Sequence, residues 1–306
     1  MVKQALQYGV LLPTDEVRFG TSDLDEWAAT AEESGYHHIV AGDHVVGVDP
    51  SQAAEGWDRQ WPGRSGGSSA YTVENVFREP LVLLGYLAAR TRIGLVTGIL
   101  ISPQRQTVLL AKQAAELDLL SAGRLRLCVG VGWNPIEYEA LGVDFASRGH
   151  IMEEQCELLR LLWSESIVSY SGQFHQVRGS GLQELPAQRP IPLWMGGGQV
   201  TRVLERVGRL ADGWFVTTSS GPSAELQESI KVIRGAAESA GRDPDSLGVE
   251  GRLVVGARTD DELLVLRDQW AAHGATHICI DTRFGGRSTP GEHIEAVRHV
   301  SKLILS

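Results

Sequence analysis

The amino-acid sequence predicts an α/β fold, a (β/α)8 TIM barrel with two insertions. Eight short strand-like runs alternate with amphipathic helical patterns over 306 residues, a rhythm typical of this barrel. Most of the runs are continuously apolar, as expected for parallel strands that are buried on both faces. The length also suits a single barrel closed around one core. A doubly wound open sheet is the alternative that the same alternation allows.

The predicted elements follow one another along the whole chain. The eight strand-like runs are Leu6–Leu12, His38–Ala41, Ile93–Ile99, Leu125–Val131, Ile191–Met195, Gly213–Val216, Leu253–Ala257 and His277–Ile280. Helical stretches between them place apolar residues at positions i, i+3, i+4 and i+7. Residues with this spacing are Leu24, Trp27, Ala28 and Ala31, and again Val200, Val203, Leu204 and Val207. Residues suited to N-capping are Ser22 and Asp23, and again Thr259, Asp260 and Asp261.

Two segments break the alternation, and we interpret them as insertions in a single domain that spans residues 1–306. Residues 47–78 follow the second strand, are rich in Gly, Ser and Trp, and are too long for an ordinary βα loop. We expect this segment to overhang the barrel mouth as a lid, with Trp57 and Trp61 in a substrate wall. A surface excursion is the alternative. Residues 167–189 follow the fourth strand and are predicted to form a hairpin and a proline-containing linker.

Composition and charge indicate a soluble globular protein. Hydrophobic residues make up 42% of the chain and charged residues 22%. A net charge of −10 argues against a nucleic-acid partner, which requires a basic face. No apolar run reaches the ~18 to 20 residues of a membrane helix, and the N-terminus lacks a signal-peptide cleavage site. Cys128, Cys156 and Cys279 have no CxxC spacing, so we expect no disulfide framework, no metal site and a cytoplasmic location.

Glycines cluster where the third and fourth predicted strands end. Gly98 closes the third strand, and Gly130 and Gly132 close the fourth. In parallel α/β folds this edge of the sheet is where ligands bind. Glycines let the backbone approach a large flat cofactor because no side chain stands between them. The sequence therefore predicts a ligand site at the C-terminal ends of these strands.

A run of three glycines is the best phosphate-binding signal in the chain. Gly196, Gly197 and Gly198 follow the fifth strand and precede a helix predicted to begin near Gln199. Consecutive glycines at a helix N-terminus present free N–H groups and the positive end of the helix dipole to an anion. The run is neither a Walker loop nor a GxGxxG motif. Arg202 either assists the phosphate or is a solvated charge on the helix.

A histidine follows the second strand directly. The pair Asp43 and His44 lies at the predicted rim of the barrel, where a histidine can hold a proton near neutral pH and exchange it with a substrate. The alternative is a structural histidine whose hydrogen bonds a neighbouring carboxylate satisfies. The spacing of the residues leaves both interpretations open.

Four segments together resemble the bacterial luciferase-like superfamily. They read AGDHV after the second strand, TGILISP after the third, GVGWNPIEYEALGVDFASRG after the fourth, and PLWMGGG leading into RVGRLADGW. The likeness is strongest to the actinobacterial branch that uses the deazaflavin coenzyme F420 in place of FMN, and it covers residues 5–220. The resemblance implies a (β/α)8 barrel, an oxidoreductase activity and a homodimer.

The resemblance also implies roles for residues at the barrel mouth. Asp43 and His44 lie against the deazaflavin ring, and His44 serves as proton donor or acceptor. The peptide that joins Gly98 to Ile99 is a candidate non-proline cis bond that backs the ring. The loop that holds the cofactor phosphate contains Gly196, Gly197, Gly198 and Gln199.

The turn after the fourth strand departs from the family pattern. In some deazaflavin enzymes a glutamate directly after this glycine turn acts as an acid, whereas here Trp133 and Asn134 follow Gly132. By resemblance, Gly132 and Asn134 contact the cofactor, and Trp133 joins the substrate wall. Glu137 is the first glutamate after the turn, and capping of the following helix is favoured over a catalytic role.

The primary hypothesis is hydride transfer between reduced coenzyme F420 and an organic small molecule, with a separate dehydrogenase supplying the reduced cofactor. One alternative is an FMN-dependent two-component monooxygenase that uses dioxygen. FMN users often carry an arginine on the helix after the third strand, where this chain has Leu109, and this favours the deazaflavin. A non-catalytic flavin-binding protein is the alternative from another class, against which the intact Asp43 and His44 pair argues.

Overall fold

A computed structural model describes residues 5–52, 71–217 and 221–305 of the chain. Within these ranges eight parallel strands close into a barrel, which confirms the predicted fold class. The barrel strands are β1 (Gln7–Leu11), β2 (His38–Ala41), β3 (Gly94–Thr97), β5 (Leu125–Gly130), β8 (Leu193–Gly197), β9 (Gly213–Val216), β10 (Gly248–Val254) and β11 (His277–Asp281). Each strand pairs with its neighbour in this order, and β11 pairs with β1.

Helices cover the outside of the barrel. They are α1 (Thr21–Glu33), α2 (Pro80–Ala88), α3 (Thr107–Leu120), α4 (Pro135–Ala140), α5 (Arg148–Ser164), α6 (Thr201–Leu210), α7 (Ala224–Ser239), α8 (Asp260–Ala272) and α9 (Pro290–Ile304). None of the helices in the described ranges combines the length and the apolar character that crossing a membrane requires. A short strand, β4 (Leu100–Ile101), extends the sheet beside β5.

Adjacent residues of each strand belong to two different apolar clusters, because side chains alternate between the faces of a strand. Ile39 of β2 packs in the large outer cluster against the helices, whereas Val40 lies in the inner cluster. Leu95 and Val96 of β3 divide in the same way. The inner cluster comprises Leu11, Val40, Val96, Cys128, Trp194, Phe215 and Cys279. The barrel interior is therefore a packed core beneath the mouth.

The seventh barrel strand differs from its prediction. It spans Gly248–Val254 rather than Leu253–Ala257. A Cβ at Gly251 would collide with Trp270 of α8, so Gly251 faces the helices and its neighbours Glu250 and Arg252 face the interior. The prediction relied on a continuous apolar run, and the charged residues Glu250 and Arg252 lie outside such a run although they belong to the strand.

The first helix also begins differently from its prediction. Its N-cap is Gly20, whose N–H donates to the Asp23 carboxylate at 2.8 Å, rather than Ser22 or Asp23. Thr259 does cap α8, with its hydroxyl accepting from the Glu262 N–H. The buried face of α1 carries Leu24, Trp27, Ala28 and Ala31, as the helical spacing predicted.

The two predicted insertions are described to different extents. In the segment 167–189, β6 (Val168–Ser171) and β7 (Gln176–Ser180) pair antiparallel as a hairpin. In the segment 47–78, a parallel bridge joins Val48 to Thr72. Trp57 and Trp61, which were predicted to form a substrate wall, lie outside the described residues. The lid therefore stays a prediction.

A buried charge cluster lies near the N-terminal ends of the barrel strands. Glu250 accepts hydrogen bonds from His38 Nε2 at 2.7 Å and from Arg126 Nη2 at 2.5 Å. Burial opposes ionisation of Glu250, but the charges of Arg126 and His38 outweigh it and lower the pKa of this carboxyl to about 2. His277 packs beside His38, and burial together with the charge of Arg126 lowers the pKa of His277 to about 3.

The depressed pKa of His277 predicts acid sensitivity of the fold. Below about pH 6.5 the unfolded chain protonates His277, whereas the folded chain does not until the pH approaches 3, so stability falls as the pH falls through this window. Replacing His277 with Gln should reduce the loss of unfolding free energy between pH 7 and pH 5 by about 2 kcal/mol. Urea denaturation at the two pH values measures this difference.

The exposed His150 provides the control for this measurement. His150→Gln should retain the pH dependence of the wild type. If His277→Gln loses as much stability between pH 7 and pH 5 as the wild type, the buried neutral state of His277 is wrong.

Candidate active site

A cavity of about 330 Å³ opens at the C-terminal ends of the barrel strands. It brings together most of the residues that the sequence predicted for the site. Those that line it are Asp43, His44, Gly98, Ile99, Gly132, Trp133, Gly196, Gly197 and Gly198. Two predicted site residues, Asn134 and Gln199, do not line it. The apolar part of the lining includes Leu11, Val131, Met195 and Phe215.

The floor of the cavity is formed around Ile99. The Gly98–Ile99 peptide is cis, as the family resemblance implied. A Cβ at Gly130 or at Gly196 would collide with the Ile99 side chain, and a Cβ at Gly98 would collide with Val40. Gly130 and Gly196 therefore make room for the Ile99 side chain beneath the mouth, and Gly98 makes room for Val40.

His44 and Glu137 form the central polar contact of the site. Nδ1 of His44 lies 2.8 Å from Oε2 of Glu137, and the carboxylate is fully buried. Its other oxygen, Oε1, accepts from the Val45 N–H at 2.8 Å and from the Val46 N–H at 3.4 Å. Glu137 therefore binds the loop after β2 as well as the imidazole ring.

The expectation that Glu137 caps the following helix is wrong. Asn134 is the N-cap of α4, with Oδ1 accepting from the Ile136 N–H at 3.0 Å. Glu137 lies in the first turn of this helix but directs its carboxylate across the barrel mouth to His44. Asn134 is buried and its carbonyl oxygen is engaged in the cap, which explains its place outside the cavity lining.

Aromatic rings surround His44 on the cavity side. The ring centroids of Tyr71 and Phe77 each lie 4.7 Å from that of His44, and Trp133 lies at 6.0 Å. In the part of the chain that the structure describes, Nε2 of His44 makes no hydrogen bond. Because Glu137 engages Nδ1, Nε2 is the nitrogen left for a ligand in the cavity.

Asp43 faces away from His44 and anchors the neighbouring loop. Its carboxylate accepts two hydrogen bonds from Arg105, at 2.7 and 2.9 Å. It also accepts from the Ile101 N–H at 2.8 Å. Both oxygens are thus engaged, and the bidentate geometry is the strong form of an arginine–carboxylate pair. The arrangement favours a role for Asp43 in holding β4 in place.

Of the three residues of the glycine loop, Gly196 and Gly197 are the last residues of β8 rather than following it, and Gly198 lies in the segment between β8 and α6. The Gly197 carbonyl accepts from Trp214 Nε1 at 3.0 Å, and α6 begins at Thr201. A Cβ at Gly198 would meet nothing within 4 Å. The cation that lines the cavity on this side is Arg206, not the exposed Arg202. Arg206 Nε donates to Glu153 at 2.8 Å.

A second polar group lines the cavity at the ends of β10 and β11. Arg252 and Arg283 both donate to the buried Asp281, and Arg283 also donates to Asp15 at 2.5 Å. Burial opposes ionisation of Asp281, but the two guanidinium charges outweigh it and hold the pKa of Asp281 far below its usual range. Each positive charge here has a carboxylate partner.

Sequence reasoning missed the partners that position the predicted residues. Glu137 is 93 positions from His44, and Arg105 is 62 positions from Asp43. A usable signal did exist for Arg206, which lies one helical turn after Arg202 on α6, the helix that follows the glycine loop. No local pattern points from His44 to Glu137.

The mouth of the barrel carries a glycine-lined cavity with a cis peptide in its floor and a histidine in its wall. A cavity of this kind at the C-terminal face of a barrel is a typical cofactor site. The family model described as luciferase-like monooxygenase matches residues 6–278. The chain therefore belongs to the luciferase-like family of enzymes.

Individual relatives agree with this assignment. The chain is 28% identical over 262 residues to an F420-dependent glucose-6-phosphate dehydrogenase from Nakamurella multipartita, which covers 83% of this chain and 70% of the relative. The monooxygenase RslO1 from Streptomyces bottropensis superposes with a TM-score of 0.76 at 20% identity, over 98% of this chain and 99% of that one. The coenzyme F420 dependent tetrahydromethanopterin reductase from Methanopyrus kandleri superposes with a TM-score of 0.73 at 16% identity, over 98% of each chain. The two structures show the shared fold.

Proposed function

We propose that this protein is a coenzyme F420-dependent oxidoreductase in which His44 holds or moves the substrate proton. The observation that carries the proposal is the placement of His44, with Nδ1 bound to Glu137 and Nε2 left at the wall of a glycine-floored cavity. The F420-dependent relative supports the choice of cofactor. When bound, the deazaflavin supplies hydride transfer at its ring.

The residues of the cavity fit a flat tricyclic ring. Ile99 packs closely in the floor because Gly130 and Gly196 lack a Cβ that would collide with it, and all three of these residues line the cavity or lie directly beside its lining. Apolar side chains line much of the cavity, and Tyr71, Phe77 and Trp133 enclose His44. This lining excludes water from the reacting face, which protects a hydride donor.

Glu137 is proposed to determine which ring nitrogen of His44 carries the hydrogen. An ionised carboxylate accepts hydrogen bonds only, so Nδ1 of His44 carries a hydrogen and Nε2 of the neutral ring carries a lone pair toward the cavity. The same carboxylate stabilises the imidazolium that forms when Nε2 takes a proton. Glu137 is therefore proposed as the residue that positions His44, and His44 as the group that exchanges the proton.

The glycine loop is proposed to hold the cofactor phosphate. Gly196, Gly197 and Gly198 lead toward the N-terminal end of α6, where backbone N–H groups and the helix dipole favour an anion. Arg206 adds a buried positive charge at the same side of the cavity. Gln199, predicted for this site, is half-buried beside the loop.

The FMN-dependent monooxygenase is the second candidate, supported by the monooxygenase description of the family model that matches the chain. Leu109, which the sequence argument weighed against FMN, is 52% exposed on α3 and does not line the cavity. Its identity therefore does not distinguish the cofactors.

Direct titration separates the two cofactors. We expect oxidised coenzyme F420 to bind at least about tenfold tighter than FMN, a difference of about 1.4 kcal/mol. Quenching of cofactor fluorescence on addition of the purified protein measures both affinities. Equal affinities, or tighter binding of FMN, would support the monooxygenase instead.

A charge reversal in the glycine loop tests the phosphate site. Gly198→Asp places a carboxylate in open space beside the proposed phosphate, so F420 binding should weaken by about 2 kcal/mol through repulsion and lost N–H contacts. Gly198→Ala, which adds a Cβ without charge, is the matched control and should bind almost as the wild type does. Retained affinity in a folded Gly198→Asp variant would place the phosphate elsewhere.

Two substitutions test the proton-transfer pair. His44→Ala should leave the cofactor dissociation constant within a few-fold and lower turnover by roughly 10² to 10⁴, with loss of the histidine ionisation from the pH–rate profile. Glu137→Gln should retain the fold but let the amide donate to Nδ1, so that the neutral ring carries its hydrogen on Nε2. We expect this variant to lose turnover and to change the pH profile.

Turnover is followed by the oxidation of reduced F420 in the presence of activated alkenes, imines or ketones, from which a surrogate substrate is first selected. A His44→Ala variant that binds F420 and turns over at the wild-type rate would remove His44 from the mechanism. A Glu137→Gln variant with the wild-type pH profile would leave Glu137 a purely structural residue.

A further inference from the structure

We infer that Arg148 and Arg202 form a subsite for the carboxylates of an anionic tail that continues from the cofactor phosphate. The inference rests on the proposed function, because it assigns a ligand to residues beside the proposed phosphate loop. FMN ends at its phosphate, whereas coenzyme F420 continues beyond it into a lactyl and oligoglutamyl chain. A subsite beyond the phosphate would therefore distinguish the two cofactors.

The two arginines lie where the N-terminal ends of α5 and α6 meet. Arg148 is the first residue of α5, and Arg202 is the second residue of α6, directly after the glycine loop. Nη2 of Arg206, one turn further along α6, lies 3.0 Å from the position of a Cβ on Gly149. The first turn of α5 therefore borders the guanidinium group that lines the cavity.

Neither Arg148 nor Arg202 forms an ion pair in the described part of the chain. Glu153 pairs with Arg206 at 2.8 Å and with Arg209 at 3.4 Å. Within residues 5–52, 71–217 and 221–305, no carboxylate lies at ion-pair distance from Arg148 or Arg202. Burial lowers the pKa of Arg148 and the nearby charge of Arg202 lowers it further, whereas the charges of Tyr138 and Asp144 oppose this shift only in part. Two like charges thus lie close together, with no carboxylate of the described residues at ion-pair distance, on a chain of net charge −10.

Packing holds the Arg148 side chain in place. Its guanidinium lies 3.6 Å from the centroid of the Phe145 ring, and Nη1 donates to the Phe145 carbonyl at 2.5 Å. Nε is buried and has no hydrogen-bond partner in the described part of the chain. The side chain is therefore oriented before any anion binds, which reduces the entropy lost on binding.

Helix electrostatics oppose this arrangement in the absence of a ligand. The N-terminal end of a helix is positive, so acidic residues stabilise the first turn and arginines destabilise it. Neither α5 nor α6 has an acidic residue in its first turn, yet each has an arginine there. An anion between the two helix ends would satisfy both the dipoles and the guanidinium groups.

The tail chemistry follows from the position of these groups. The phosphate is proposed at the glycine loop, and Arg202 is exposed four residues after Gly198. A chain that left a phosphate at this loop toward solvent would meet the first turn of α6, which carries Arg202, and the adjoining first turn of α5, which carries Arg148. Carboxylates on that chain accept hydrogen bonds from guanidinium groups with matched geometry.

The double variant Arg148→Gln/Arg202→Gln tests the subsite by binding rather than by turnover. The probes are F420 with a defined oligoglutamyl tail, the tail-free deazaflavin alcohol without a phosphate, and FMN, each titrated by fluorescence at low and high salt. We expect F420 to bind about 5- to 20-fold more weakly at low salt, with a smaller difference at high salt because salt screens exposed charges. The tail-free deazaflavin and FMN should bind within about twofold of their wild-type affinities.

Two further variants complete the test. Arg178→Gln/Arg234→Gln removes two exposed arginines that do not line the cavity and should leave all three affinities unchanged. The single variant Arg202→Gln changes an exposed position, so it keeps the test valid if the half-buried Arg148 is needed for folding. This variant should weaken F420 binding at low salt and leave FMN binding unchanged.

The outcomes separate the subsite from the proposed function. Weakened binding of F420 alone supports the tail subsite. Equal weakening of F420 and FMN binding would assign the arginines to the phosphate and overturn the tail subsite. Unchanged F420 binding would overturn the tail subsite as well. A wild-type protein that binds FMN and the tail-free deazaflavin but not F420 would overturn both the cofactor assignment and the subsite.

Discussion

The buried carboxylate of Glu137 is the interaction on which the geometry of the barrel mouth depends. It accepts from His44 Nδ1 and from the N–H groups of Val45 and Val46. A charge that is fully removed from water requires such partners, because an unpaired one would cost several kcal/mol. The loop after β2 and the helix after β5 are therefore fixed relative to each other. This contact also directs Nε2 of His44 toward the cavity.

Asp43 and His44 join the loop after β2 to two other segments at the barrel mouth. Asp43 binds Arg105 and the Ile101 N–H on one side, while His44 binds Glu137 on the other. Two adjacent residues after β2 thus hold the chain segments that follow β3 and β5. At the opposite end of the barrel Glu250 joins His38 and Arg126 in a cluster remote from the cavity lining. Charge pairs at the strand N-termini serve stability, and those at the C-termini shape the site.

We expect the ends of the cavity, rather than its floor, to determine which cofactor this protein binds. The floor around Ile99 is formed by backbone and glycines, and a deazaflavin and a flavin ring have nearly the same outline. The glycine loop that we propose for the phosphate would suit either cofactor, since both carry a phosphate. We propose that Arg148 and Arg202, which lie beyond that loop, distinguish a ligand that ends at its phosphate from one that continues.

The sequence by itself determined the barrel, through the alternation of apolar strands with amphipathic helices, and the location of the cavity, through glycines after β3, β5 and β8. Both follow from patterns among residues that are close together in the sequence. Only the tertiary structure decided that Glu137 pairs with His44 rather than capping α4, and that β10 carries Glu250 and Arg252 on its inner face. These pairings join residues far apart in the chain, and closure of the barrel brings them together. Periodicity records which face of an element is buried, but not which distant charge will meet it there.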